Sequence, residues 1–153
     1  MVSHPLTGHW RLAWTHQRVN HVNLQHISYG LLPPTSVRVA KLHQLIYVER
    51  KSFVNILDLR FVDGHQATWT LEGVIQSYSP LSPTIPIDFH VEYQRGKLQS
   101  RSLMSRPEHW LAPYADREFI LTSSAKTTTV MIGEESRIDK NANAELALLL
   151  RVD

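Results

Sequence analysis

The chain of 153 residues has no cysteine. That excludes a disulfide scaffold, a thiolate zinc site, an iron–sulfur cluster and a thiol nucleophile. Its six glycines (Gly8, Gly30, Gly64, Gly73, Gly96 and Gly133) stand singly, so no glycine-rich loop exists to cradle a nucleotide phosphate. There is no run of about 18 apolar residues, so nothing spans a bilayer as a helix. Charge of one sign is also lacking. Sixteen Lys and Arg against fourteen Asp and Glu leave +2, too small a surplus to imply a nucleic-acid partner. Neither a G-x-S-x-G nucleophile elbow nor an H-E-x-x-H zinc motif occurs. The opening MVSHPLTGHW has no apolar core of the signal-peptide type. The expectation is a chain that stays where it is made, folded as a single domain over 1–153 with residues 1–5 as a short tail.

What is present is period-2 alternation, the mark of half-buried strands. In Ile85–Tyr93, residues Ile85, Ile87, Phe89, Val91 and Tyr93 share one face. Ala67, Trp69, Leu71, Gly73 and Ile75 repeat the pattern. Trp10, Leu12 and Trp14 share a face near the start. Leu42, Ile46 and Val48 do so in the next run, and Phe53, Leu57, Leu59 and Phe61 after it. Leu98–Met104, Glu118–Thr122, Thr127–Ile132 and Ala144–Val152 complete nine or ten strands. Ala144–Leu150 has good helix formers, yet Leu146, Leu148 and Leu150 alternate, and a closing strand is needed to remove sheet edges. Helix is confined to a short piece within Arg18–Tyr29. The fold expected is mainly β, a single antiparallel lipocalin-like barrel of roughly 8–10 strands.

The breaks have their own chemistry. Leu32-Pro33-Pro34-Thr35 cannot be a central strand. Asp63-Gly64 is a hairpin signal. Gln94-Arg95-Gly96-Lys97 reads as another hairpin turn, and Asp139–Asn143 as a polar turn. Ser79–Pro83 reads as a loop, and an irregular stretch surrounds Trp110.

Chemistry-bearing side chains are scattered. His16, His21 and His26 are spaced by five, as are His4 and His9. Five residues put two side chains on one face of neither a helix nor a strand. They read as surface or loop histidines, and no metal site is assigned. Glu134-Glu135 and Asp58/Asp63 read as solvated turn carboxylates. Gly96–Arg106 reads as an exposed basic arm. The aromatics lead further, because the inward face of a small barrel is also the wall of any cavity it encloses.

The opening Leu6–Thr15, with Gly8-x-Trp10 entering the first strand, is similar to the G-x-W-x-L-x-(Y/F)-T opening of the plastid lipid-associated protein/fibrillin family. Trp14 stands where that family usually has Tyr or Phe. Val39–Tyr47, Asn55-Ile56-Leu57, His65–Thr68 and Ile85–Phe89 follow the family's rhythm. Thr128-Thr129, Glu134–Ile138 and Glu145–Arg151 resemble its closing segment. The resemblance implies a barrel that binds or organises small apolar molecules (prenylquinone, carotenoid or fatty acid) at a photosynthetic membrane. It implies a cyanobacterial chain, cytoplasmic or peripheral at the thylakoid, or a trimmed plastid one. It carries over no catalytic residue.

In a closed barrel the last strand returns beside the first, which would let Arg137 lie across the face of Trp10 in a cation–π contact. The candidate ligand-binding residues are Trp14, Trp69, Phe89, Tyr93 and Arg137. The partners expected are a small apolar ligand and a membrane surface, with no cofactor beyond a bound lipid, quinone or carotenoid. Two other readings stay open: an interaction module with a filled barrel, acting through Arg95–Arg106, and a lipid-modifying enzyme.

Overall fold

The computed structural model describes residues 4–15, 21–78, 86–100 and 110–152. In chain order the elements are β1 (Gly8–Thr15), β2 (Val22–Asn23), α1 (Leu24–Ile27), β3 (Ser36–Tyr47), a 3-10 turn (Val48–Arg50) and β4 (Ser52–Phe61). Then come β5 (Gln66–Tyr78), β6 (Ile87–Ser100), β7 (Glu118–Met131), β8 (Ser136–Asn141) and β9 (Leu146–Val152). Neighbouring strands run antiparallel in the order β1-β9-β8-β7-β6-β5-β4-β3, and β1 returns to β3. Eight strands thus close a barrel, which removes the open edges a sheet would otherwise expose.

Closure rests on the two sides of β1. One side pairs Gly8 with Ile46 and Arg11 with His43 on β3. The other pairs His9 with Val152 and Leu12 with Leu149 on β9. Ala144–Leu150, ambiguous by propensity, is therefore largely strand, because β9 must bridge β8 and β1. The two-residue β2 joins the far end of β3, at Ser36 and Val37.

Alternation delivers the core as expected. Ala67, Trp69, Leu71 and Ile75 of β5 are buried, as are Phe53, Leu57, Leu59 and Phe61 of β4. Asp63-Gly64 makes the β4–β5 turn, with Gly64 at φ +87°, a left-handed value that suits glycine.

Four local expectations are corrected. Gln94–Lys97 is not a turn, since β6 continues through it, with a register slip against both neighbouring strands between Tyr93 and Arg95. Gly96 serves packing there: a Cβ would lie 2.5 Å from the Trp69 ring, so the glycine opens space for the indole. The basic residues Arg95 and Lys97 accordingly lie on a strand rather than an arm, and Arg95 pairs with Glu72 at 3.1 Å. Glu118–Thr122 and Thr127–Ile132 are likewise halves of one strand, β7. Asp139 lies within β8 and is buried; the turn begins after Asn141, with Ala144 at φ +60°.

The fourth concerns Trp14. The β1–β9 register slips between Leu12 and Trp14, leaving Ala13 as an extra residue. Such a bulge reverses the facing of everything beyond it. Trp10 is buried, Leu12 half-buried, and Trp14 is 54% exposed.

The helix is shorter than the window expected for it. Asn23 caps α1 by accepting from the Gln25 N–H at 2.9 Å. The expected Ser79–Pro83 loop, residues 101–104 of the Leu98–Met104 strand and the 101–106 part of the basic arm fall outside the described residues.

Candidate functional site

A cavity of about 500 Å³ occupies the barrel interior and opens to solvent. Its walls are the inward positions of seven strands. Leu12 and Thr15 come from β1, and Val39, Leu42 and Gln44 from β3. Phe53, Asn55 and Leu57 come from β4, and Phe89 and Tyr93 from β6. Thr127 of β7, Asp139 and Asn141 of β8, Glu145, and Leu146, Ala147 and Leu149 of β9 complete the wall, while Val22 and Ile27 lie near the entrance. Two register slips shape it. The extra residue Ala13 lets Leu12 and Thr15 both point inward, and the slip between Val39 and Lys41 does the same for Val39 and Leu42.

The depth of the cavity can be read along the strands. On β8 the inward residues are Asn141, Asp139 and Arg137. The first two line the space, and the third lies beneath it. On β1, Thr15 and Leu12 line it and Trp10 lies beneath. On β3, Gln44 lines it and the buried Ile46 lies beneath. Gln44 and Asp139 therefore form the floor, above Trp10 and Arg137.

That floor is a buried polar network. Arg137 is 0% exposed. Its Nη2 donates to Gln44 Oε1 and lies 3.3 Å from Asp139 Oδ2. Thr129 Oγ1 donates to Asp139 Oδ1 at 2.7 Å. The Arg137 guanidinium carbon sits 4.8 Å from the centre of the Trp10 ring, where the sequence placed it. Arg151 approaches the same ring at 4.3 Å and donates to the carbonyls of Pro5, Thr7 and Glu134. Trp10 Nε1 donates to Leu6 O at 2.9 Å.

Burial pushes the Asp139 carboxyl above its ordinary value, against the pull of Arg137 and the Thr129 hydrogen bond. Burial likewise lowers Arg137, with Asp139 opposing and Arg151 reinforcing the shift. Attraction between the partners offsets only part of the cost of removing both from water.

Higher on the wall, Asn55 Nδ2 donates to the Tyr93 hydroxyl oxygen at 2.7 Å. Burial raises the Tyr93 pKa, and nearby Tyr29 adds to the shift. The Tyr29 and Tyr93 rings are 5.6 Å apart, and those of Phe53 and Phe89 5.8 Å. The wall is thus mostly aliphatic and aromatic, with polar side chains at Thr15, Gln44, Asn55, Thr127, Asp139, Asn141 and Glu145, and its apolar part suits an apolar guest.

The family model PAP_fibrillin matches residues 2–152. The chain belongs to the PAP/fibrillin family. No curated protein and no solved structure matches it.

This fibrillin barrel gathers two of the five residues singled out in the sequence, Phe89 and Tyr93, on the cavity wall. Trp69 is fully buried beside Leu57, its partner on β4, yet packs on Gly96 and Phe119 instead of bordering the space. Arg137 supports the floor from below. Trp14 is carried to the outer surface by the bulge. Among the described residues, no three His, Asp or Glu side chains gather as a metal site, and no helix is long and apolar enough to cross a membrane.

The sequence reading missed Gln44, Asn55 and Asp139. A signal existed for the first two: each is a polar residue on an otherwise apolar face, between Leu42 and Ile46 and between Phe53 and Leu57. Asp139 carried none, because its polar neighbours read as a turn.

Proposed function

We propose that this fibrillin binds or organises small apolar molecules, of the prenylquinone, carotenoid or fatty-acid type, at a photosynthetic membrane without catalysing a reaction. The observation that carries the proposal is the cavity of about 500 Å³ walled by Leu12, Leu42, Phe53, Leu57, Phe89 and Leu149. A barrel filled by its own side chains would leave no such space. Moving apolar surface from water into it contributes roughly 25 cal/mol per Å². The family supports a lipid-associated role, and its members are typical of plastids and cyanobacteria.

An enzyme in this fold would need a titratable group shifted inside the cavity. Asp139 has that property, but Thr129 and Arg137 engage its two oxygens. The other titratable groups on the described lining, Tyr93 and Glu145, accept from Asn55 and Asn141. A supporting floor is the simpler role for this carboxylate.

Native mass spectrometry of protein extracted gently from its host tests the proposal. A lipid or pigment bound at one per chain is the expected result. Bare protein that also ignores quinone and fatty-acid probes would overturn it.

A further inference from the structure

The Gln44 amide has a fixed orientation. A guanidinium only donates hydrogen bonds. The Gln44 atom facing Arg137 must therefore be the carbonyl oxygen, as found. The NH2 group is left to point elsewhere, and Gln44 lines the cavity floor. Among the described residues no acceptor takes up this NH2, whereas Asn55 and Asn141 each spend an amide N–H on the protein, on Tyr93 and Glu145.

From this we infer that the floor selects guests whose buried end is a neutral carbonyl oxygen, as in a ketone, quinone or ester, with the Gln44 NH2 as donor. The inference rests on the carrier reading and narrows it. A carbonyl accepts and does not donate, so it matches a free N–H at the end of an apolar shaft. A carboxylate would need a compensating cation in that setting. The nearest one, Arg137, is already paired with Asp139 and lies beneath the floor at 0% exposure. The Asp139 carboxyl itself borders the space, which further disfavours an anion. Arg137 thus acts as a positioning residue, because it sets which end of the Gln44 amide meets the guest.

The test uses the full chain stripped of lipid, with N-phenyl-1-naphthylamine as the fluorescent occupant. Three competitors share a phenyl group and a short chain. Valerophenone carries a carbonyl, pentylbenzene has a methylene in its place, and 5-phenylpentanoate carries a carboxylate. Each is measured on the wild type, on Gln44→Glu, which keeps an acceptor for Arg137 but has no N–H, and on Gln44→Met as a second variant. Comparing one competitor across proteins cancels its own solubility in water.

The expected result is an affinity loss of about fivefold to tenfold for valerophenone in both variants, the worth of one hydrogen bond, with pentylbenzene nearly unchanged. On the wild type, 5-phenylpentanoate should bind more weakly than valerophenone. Equal changes for valerophenone and pentylbenzene, or tighter binding of the carboxylate, would overturn the inference and leave the carrier reading standing. If the naphthylamine itself finds no site on folded wild-type protein, the carrier reading fails and the inference fails with it.

Discussion

The guanidinium of Arg137, near the chain's end, lies over the ring of Trp10, near its start, at 4.8 Å. The contact links β8 to β1 across the intervening β9, beneath the cavity floor. Stacking on an indole is favourable for a desolvated cation, and the ring covers guanidinium surface that no hydrogen bond reaches. Arg137 Nε and Nη1 are buried without a hydrogen-bond partner.

Arg137→Met should cost about 3–5 kcal/mol in urea unfolding, because it strands the buried Asp139 carboxyl. Adding Asp139→Leu should return most of that loss. A cycle of Trp10→Ala and Arg137→Ala should give a coupling of about 0.5–2 kcal/mol. Strictly additive losses would show that the stacking contributes nothing.

Gly96→Ala should destabilise by about 1–3 kcal/mol, since its Cβ would fall 2.5 Å from the Trp69 ring and force the indole to move. Introducing Trp69→Leu first should shrink the penalty. A full penalty in that background would place the strain in the backbone instead.

Leu42→Trp should fill the cavity from β3. Leu42 is half-buried beside open space, so the larger ring has room. Binding of the naphthylamine probe should drop at least about tenfold, a change of about 1.4 kcal/mol, while the unfolding midpoint stays near wild type. Unchanged binding would move the apolar site elsewhere.

Acid should weaken the fold in a stated window. His43 lies 2.9 Å from His9, and burial holds its pKa below the ordinary 6.5, with His9 adding to the shift and Asp58 opposing it. Burial lowers His4 too, against Glu49. A group depressed in the folded state is protonated more readily when unfolded, so its contribution is full above 6.5 and is lost as pH falls toward the folded value. Asp139 runs the other way. Its folded pKa lies above the ordinary 3.8, and protonation at low pH relieves its penalty. Unfolding of wild type and His43→Gln, compared from pH 7.5 downward, should diverge below 6.5, with the wild type losing more. Parallel curves would remove His43 from the account.

Much of the wall was legible because alternation is local. Phe89, Tyr93, Phe53 and Leu57 face inward wherever their strands are placed, since successive side chains leave a pleated strand on opposite sides. Trp14 broke that rule because a bulge is a property of two strands in register, and nothing in His9–Thr15 alone shows where β9 slips. The same limit hid the role of Gly96, whose partner Trp69 lies on the neighbouring strand. Gln44 and Asn55 were visible as polar residues on apolar faces, but their meaning needed Arg137 and Tyr93 beside them.

The order of apolar and polar residues by itself determined that the chain forms antiparallel strands and that those strands have one greasy side; that Trp10 and Arg137 meet was an expectation conditional on barrel closure, and the tertiary structure bears it out. Tertiary structure alone decided that the barrel keeps an empty space, that Asp139 lies in its floor rather than in a turn, and which end of the Gln44 amide faces the interior. The physical reason is range. Facing is set by backbone geometry over two residues, whereas free volume, bulges and the direction of a buried amide arise from side chains brought together from distant parts of the chain.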